Sequence, residues 1–232
     1  RELQTMIGKN HAKYFDKNNW LYFTKEVFDL LYPSYGDTYP TYNGAIGMTY
    51  EQAGHSRGGL AIETEDGDTL SLLDRITHHY TTGLSTVEVA SQNVNRIVDE
   101  FVKFFSEGKN NPKGEYNTYI ISKSNHIDKL NDLQSWLDKN GIQYGTASAS
   151  RSYKGFNYKT GETGSVKINV GDLVISANQS KSVLVQVLFE PQTTLRDTLT
   201  YDLTAWAIPY VYGLDAVAVK SDVKMSTAKR LV

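Results

Sequence analysis

The stretch from Tyr32 to Glu51 constrains the fold most, because its composition changes abruptly from turn-forming to strand-forming residues. Its first part combines tyrosines with helix-breaking residues: Tyr32, Pro33, Tyr35, Gly36, Tyr39, Pro40, Tyr42 and Gly44. Proline and glycine at this density exclude a helix and predict an open loop. From Ile46 onwards apolar residues alternate with small or polar ones, a period typical of a strand. The sequence therefore predicts a tyrosine-rich loop followed by a strand that ends in the carboxylate of Glu51.

This pattern, with Tyr-x3-Gly at Tyr32–Gly36 and a strand-borne Glu51 after it, resembles the C-terminal part of zinc carboxypeptidases of the carboxypeptidase A superfamily. The resemblance covers residues 1–105. It implies that Glu51 is the general base acting on a zinc-bound water. It also implies that Tyr32 is the mobile loop phenol that closes over a peptide substrate, with Tyr35 as the alternative for that role.

Three further residues are candidates for substrate binding. Tyr39 lies near the position at which the resembled family shapes its specificity pocket. His55 and Arg57 follow Glu51 in a glycine-rich turn, where they would contact the substrate or orient the base. Exposed loop residues without a direct role are the alternative interpretation of His55 and Arg57.

The histidines of the chain do not match the metal-binding pattern of the resembled family. That family binds zinc with a His-x-x-Glu pair and a distant third histidine. The chain has five histidines, and none has a carboxylate three residues later: His11, His55, His78, His79 and His126. The resemblance therefore implies that the zinc ligands precede this chain, and that the chain alone is inactive. His11, as a lone helical histidine, is interpreted as a structural residue.

The function implied is part of a metallocarboxypeptidase-like peptide hydrolase from a bacterium, secreted to the periplasm or beyond. The alternative is a module that binds a peptide or glycan without turnover, because tyrosines supply contact area at low entropic cost.

The composition excludes several other classes of function. A net charge of -2 and a pI near 6.2 give no basic surface for nucleic acid, so nucleic acid is not an expected partner. The chain has no cysteine, which excludes disulfides and thiol chemistry. Its apolar runs are too short for a membrane span.

The predicted fold class is α/β, with two domains. Residues 1–107 would form the C-terminal part of a carboxypeptidase-like α/β/α sheet domain, 108–114 a linker, and 115–232 a smaller accessory α/β domain. In the first domain, a second strand is expected at 60–64 and a helix from Leu70 to Phe105, capped by Thr69. Both strands would belong to a sheet completed upstream, so this domain should need a missing N-terminal portion or self-association.

The second domain shows alternating strand and helix signals. A strand at 119–121, a helix with an apolar face from Ile127 to Leu137 that Asn140-Gly141 ends, and a strand that starts at 142–144 predict a βαβ unit with a parallel strand pair. A hairpin around the glycine-containing turn at 159–164, a strand at 172–176, a helix before Pro191 and a strand at 216–219 follow. Residues 119–218 weakly resemble glutamine-amidotransferase-like domains. The nucleophilic cysteine of that family is missing, so the resemblance implies a scaffold or binding role.

Overall fold

The computed structural model describes residues 2–24, 30–52, 60–194 and 205–227. The chain divides into two compact units. The first unit comprises Arg1–Leu30 and Ile46–Glu100, and the second comprises Leu31–Ala45 and Phe101–Val232. The tyrosine loop therefore belongs to the second unit, whereas the segment that carries Glu51 belongs to the first.

The first unit is built on two long helices and a short hairpin. Its elements are α1 (Glu2–Lys17), β1 (Ala61–Glu63), β2 (Thr69–Ser71) and α2 (Leu72–Gln92), followed by the start of α3 (Val94–Asn110). β1 confirms the strand predicted at 60–64, and it pairs antiparallel with β2. The predicted cap at Thr69 is wrong. Ser71 is the N-cap, and it forms a capping box with Asp74 that satisfies the backbone N–H groups at the start of the helix.

The strand predicted from Ile46 to Glu51 is also wrong, because the segment is irregular in the structure. The carbonyl of Gly47 accepts a 2.8 Å hydrogen bond from the Gln4 side chain on α1, not from a neighbouring strand. Packing onto a helix has replaced pairing in a sheet. The predicted single helix from Leu70 to Phe105 is interrupted at Asn93, which separates α2 from α3. α3 continues through Asn110, so the predicted linker at 108–114 begins inside a helix.

The second unit contains a seven-stranded sheet with its helices. A 3-10 helix at Tyr39–Asn43 comes first in the sequence. After α3 the chain forms the following elements: β3 (Thr118–Ile121), α4 (Ile127–Lys139), β4 (Gly145–Ala147), β5 (Arg151–Asn157), β6 (Glu162–Ile168), β7 (Leu173–Ser176), α5 (Ser182–Phe189), α6 (Ile208–Val211), β8 (Ala216–Val219) and β9 (Met225–Thr227). The strand order in the sheet is β6-β5-β8-β3-β7-β4-β9.

The parallel strand pair predicted around α4 is wrong. β3 and β4 are both antiparallel to β7, which lies between them. The two strands therefore run in the same direction without being neighbours. β7, which comes later in the sequence, lies between them in the sheet. The local sequence around α4 gives no indication that a later strand takes this position. The hairpin of β5 and β6 around Gly161 is confirmed, and Gly161 adopts the positive φ of 72° that favours glycine in this turn.

Apolar residues cover both faces of the sheet. Tyr119 and Ile121 of β3 belong to the larger core cluster with α4 and α5, whereas Ile120 belongs to a cluster on the other face. This alternation follows from the period of two in a strand. Together the helices and the large sheet confirm the predicted mixed class of helix and sheet. Within the described ranges, no helix combines the length and apolar character needed to cross a membrane.

Candidate functional site

Glu51 lies on a segment that is fixed through both of its neighbours in the sequence. On one side, the Tyr50 hydroxyl forms a 2.8 Å hydrogen bond with Thr86 Oγ1 on α2. The Tyr50 ring also packs edge-on against His11 of α1, with 4.6 Å between ring centroids. His11 Nε2 reaches the same Thr86 hydroxyl at 3.1 Å. One threonine therefore links the residue before Glu51 to both helices.

The residue after Glu51 is held by a second histidine. Gln52 Oε1 accepts a 2.8 Å hydrogen bond from Nδ1 of His78 on α2. The His78 ring packs against Phe15 and Trp20, at centroid distances of 5.3 and 4.8 Å. Phe15 is buried, so the aromatic cluster gives His78 a fixed position. The side chain of Glu51 is exposed between these two anchors, and no described residue pairs with it.

Burial keeps the two anchoring histidines neutral. It lowers the pKa of His11, with a smaller opposing effect from a hydrogen bond to the Thr82 backbone. It also lowers the pKa of His78, against the opposing charge of Asp74. Neutral imidazoles at pH 7 act here as hydrogen-bonding supports and place no cation beside the Glu51 segment. The structural interpretation of His11 is in line with its half-buried position against Tyr50.

The predicted tyrosines belong to the second unit, and each is packed there. The Tyr32 ring lies edge-on to Tyr35 at 5.0 Å and to Trp206 at 5.9 Å. The Tyr39 hydroxyl donates a 2.5 Å hydrogen bond to Oδ1 of Asn140, the C-cap residue of α4. Tyr32, Tyr35 and Tyr39 are therefore brought together along one loop, whereas Glu51 belongs to the other unit. His55 and Arg57 lie outside the described residues.

The described residues do not form a metal site. Among them, no group of three or more histidine, aspartate or glutamate side chains is close enough to hold an ion. Two acidic side chains of α2, Glu88 and Asp74, accept hydrogen bonds from protein groups instead of facing a common metal position. Glu88 accepts hydrogen bonds from Asn10 at 2.8 Å and from Tyr14 at 3.0 Å, and both lower its pKa. The Asp74 carboxylate belongs to the capping box of α2, which lowers its pKa.

Sequence reasoning missed the residues that support Glu51. The Thr86 hydroxyl and the His78 ring face inward on α2, together with the buried Arg75 and Ser85. The guanidinium Nε and one terminal nitrogen of Arg75 have no hydrogen-bond partner within the described part of the chain. The sequence offered one signal for such an inward polar face, the spacing of three to four residues between Arg75, His78, Thr82 and Thr86. This spacing alone does not show that the polar face of α2 is the buried one. That follows only from the structure, in which the apolar face of α2 is exposed.

The comparisons with known proteins give no match: no family model fits the chain, and no curated protein or solved structure is significantly similar to it.

Proposed function

We propose that this chain supplies the general base of a zinc-dependent, carboxypeptidase-like peptide hydrolase, and that Glu51 is that base. The observation that supports the proposal is the exposed carboxylate of Glu51 between two anchored neighbours, Tyr50 and Gln52. A general base must be held within hydrogen-bonding distance of the water that it deprotonates. A fixed backbone with a free carboxylate meets that requirement, because it restricts position without using up the acceptor oxygens.

The metal ligands of such a hydrolase are proposed to come from sequence outside this chain, because the chain contains no His-x-x-Glu pair. The part of the reaction assigned to this chain is the acceptance of a proton by Glu51 and its later return to the leaving amine. Tyr32 is the proposed substrate phenol, with Tyr35 as the alternative. Tyr39, His55 and Arg57 remain proposed substrate contacts. We expect this chain alone to be inactive.

The exposed apolar face of α2 supports the proposal that a further portion of the catalytic domain packs against this chain. Its exposed residues include an apolar stripe: Leu73, Ile76, Tyr80, Leu84 and Val87. The inward face instead buries two polar residues, Arg75 and Ser85, together with the apolar Val89. An amphipathic helix normally buries its apolar side, so this arrangement indicates a surface that another part of the protein covers. We propose the N-terminal portion of the hydrolase as that cover.

Self-association is the alternative cover for this stripe. The apolar residues lie at equal spacings on either side of Tyr80, so two antiparallel copies would place Leu73 opposite Val87 and Ile76 opposite Leu84. Sedimentation velocity, which measures the size of the complex in solution, distinguishes a second copy of the chain from the N-terminal portion as the cover of this stripe. A second copy predicts a dimer that Leu84→Lys converts to monomer, whereas the N-terminal portion predicts a complex with this chain that the same substitution weakens.

The decisive test of the base is Glu51→Gln in a protein that contains this chain together with its metal-binding portion. The amide keeps the shape but loses the basicity, so we expect kcat to fall about 100- to 10,000-fold while zinc content and KM change little. Glu63→Gln is the matched control, since Glu63 is an exposed glutamate of the same unit. Retention of more than about a tenth of kcat by Glu51→Gln would rule out the assignment.

Three milder substitutions refine the assignment. Tyr32→Phe and Tyr35→Phe remove one hydroxyl each, and the larger rise in KM identifies the phenol that contacts the substrate. Thr86→Val removes the hydroxyl that both Tyr50 and His11 contact, with little change in side-chain volume. We expect it to lower kcat about tenfold through misplacement of Glu51.

A binding module without turnover is the second candidate function. It is favoured by the ordered packing of the tyrosine loop. The Tyr42 hydroxyl donates a 2.6 Å hydrogen bond to the Leu31 carbonyl, and the Lys181 ammonium donates one of 2.7 Å to Asn43. A loop fixed in this way loses little entropy when it binds a peptide or glycan. Saturable binding of such a ligand by a complete protein that shows no hydrolysis would favour this candidate over the peptidase.

A further inference from the structure

A small open depression lies in the second unit, beside the end of α5. Its lining combines backbone with polar and aromatic side chains: Gly114, Glu115, Tyr116, Tyr119, Gln186, Glu190, Pro191 and Gln192. The cavity volume is about 40 Å³, which has room for one small end group of a ligand whose remainder lies in solvent. The depression is lined entirely by residues of the second unit, so it is independent of the Glu51 segment.

Glu190 provides a negative charge in this depression without a described cation to neutralise it. The residue is half-buried, and its carboxylate accepts a 2.7 Å hydrogen bond from Thr193. Burial raises the pKa of Glu190, with a smaller opposing effect from Thr193. The second carboxylate in the lining differs, because Glu115 forms a 3.0 Å ion pair with Lys220. A half-buried carboxylate that lacks a cation is costly unless a ligand supplies one.

Tyr119 is a second and independent indication of a ligand. The residue is 1% exposed and lines the depression, yet its hydroxyl makes no hydrogen bond to any described residue. A tyrosine hydroxyl sealed in a core usually has a partner. The Tyr119 oxygen is not sealed in this way, because the buried side-chain atoms without a partner in the described residues are two nitrogens of Arg75, and it therefore opens into the depression. The hydroxyl of Tyr158 shows the usual arrangement, since it donates to the carbonyl of Phe189 in the same core. The Tyr119 hydroxyl is therefore available to a bound molecule.

Gln186 adds a third acceptor whose position is fixed. Its Nε2 donates to Ser182 Oγ at 3.4 Å, which leaves the side-chain carbonyl oxygen free to accept. Gly114 packs directly on this amide, because a Cβ at position 114 would approach Gln186 Cδ to 2.7 Å. A side chain at position 114 would displace the amide. The absence of one keeps Gln186 in place along the lining.

We propose that this depression binds the ammonium group of an alkylamine. An ammonium has three N–H donors and no acceptor. The depression offers three acceptors, namely the Glu190 carboxylate, the Tyr119 hydroxyl oxygen and the Gln186 carbonyl oxygen. The rings of Tyr116 and Tyr119 supply aromatic surface, which favours a cation and an attached alkyl chain. The ligand class is therefore a primary amine, either free or as a lysine side chain of a peptide.

The test is an NMR titration of the full chain with n-butylammonium chloride at pH 7, with n-butanol as the neutral analogue. We expect saturable shifts of the Gly114 and Gln186 amides with the amine and none with the alcohol. Glu190→Gln should weaken binding at least about tenfold, a loss of about 1.4 kcal/mol. Tyr119→Phe should weaken it about two- to tenfold, as for one hydrogen bond.

Glu115→Gln is the matched control, because Glu115 lines the same depression but is already paired with Lys220. It should change the affinity less than twofold. Glu190→Asp, which keeps the charge, should retain more affinity than Glu190→Gln, and this difference separates binding from general loss of structure. Equal binding of butanol, or affinity of Glu190→Gln within twofold of the unaltered chain, would overturn the proposal. A lysine-containing peptide in place of butylamine then distinguishes a free amine from a protein ligand.

Discussion

The two units of this chain use amphipathic helices in opposite ways. In the second unit, α4 buries Leu130, Leu133 and Leu137 against the sheet. In the first unit, α2 buries Arg75 and Ser85, and Val89 is its buried apolar residue. Its stripe around Tyr80 is exposed instead. Both helices show the spacing of three to four residues, so that period establishes a helix without establishing what covers it.

The difference extends to the cores. The described residues of the first unit include four buried hydrophobic residues: Leu3, Ile7, Phe15 and Val89. The sheet of the second unit has both of its faces covered by clusters of buried side chains. Apolar burial is the main favourable contribution to folding, so the second unit has what it needs for independent stability. The part of the first unit that the structure describes lacks a comparable core.

The largest expected effect is the difference in the free energy of unfolding between two leucine-to-alanine substitutions, one in each unit. Leu133 is fully buried in the second unit, and Leu73 is 71% exposed in the first. Leu133→Ala should lower the free energy of unfolding by about 2–5 kcal/mol, because it leaves a cavity. Leu73→Ala should change it by less than about 0.5 kcal/mol. Urea denaturation followed by circular dichroism measures both, and a large loss in Leu73→Ala would show that the stripe is already covered.

A smaller effect is expected from the capping box of α2. Ser71→Ala removes the side chain that accepts a hydrogen bond from the Asp74 N–H. Loss of such a cap costs about 1 kcal/mol. The cost should appear as faster amide exchange in α2 with no change in the strands of the second unit. Ser91→Ala, at an exposed position of the same helix, is the control. Equal acceleration in β3 would mean that the units unfold together.

The smallest expected effect is an opposite response of the units to acid. In the first unit, burial lowers the pKa of His11 and His78, and hydrogen bonds lower the pKa of Asp74 and Glu88. Groups with a lowered folded pKa lose stability as the pH falls below their unfolded values. The first unit should therefore weaken below pH 6.5 and again below pH 4.5.

In the second unit, burial raises the pKa of Glu190. This group therefore opposes folding above its folded pKa, and protonation relieves that cost as the pH falls. Amide exchange at pH 7 and pH 5, corrected for intrinsic rates, should show greater loss of protection in α2 than in β3. His11→Gln should reduce the change in α2. Loss of the same size in both elements would contradict the assignment of these groups.

The sequence predicted several local elements well. The apolar face of α4 follows from its period and the hairpin of β5 and β6 from its turn residues, whereas β7 and β8, which are buried on both faces, follow from short apolar runs. The predicted strand at Ile46–Glu51 and the parallel pair around α4 failed for a common reason. Strand pairing depends on partners distant in sequence, such as β7 between β3 and β4, and local pattern carries no information about them.

For the candidate site, the sequence suggested Glu51 as a candidate but gave no indication of the residues that hold its segment in place. His11, His78 and Thr86 act through contacts between α1, α2 and the irregular segment, at separations of 26 to 75 residues. The predicted roles of Glu51 and Tyr32 rest on a resemblance, and both remain proposals. The ammonium site could not be predicted, because Glu190 and Tyr119 become neighbours only when α5 packs on the sheet.

Hydrogen exchange of the dilute, monomeric chain tests the central contrast most directly. Backbone amides of β3 and β7 should exchange only through global unfolding, since they lie in the centre of a covered sheet. Amides of α2 from Tyr80 to Val87 should exchange at least about a hundredfold faster, because an apolar face without a cover does not hold the helix. Protection of α2 equal to that of β3 in the monomer would contradict the account and show a self-sufficient first unit.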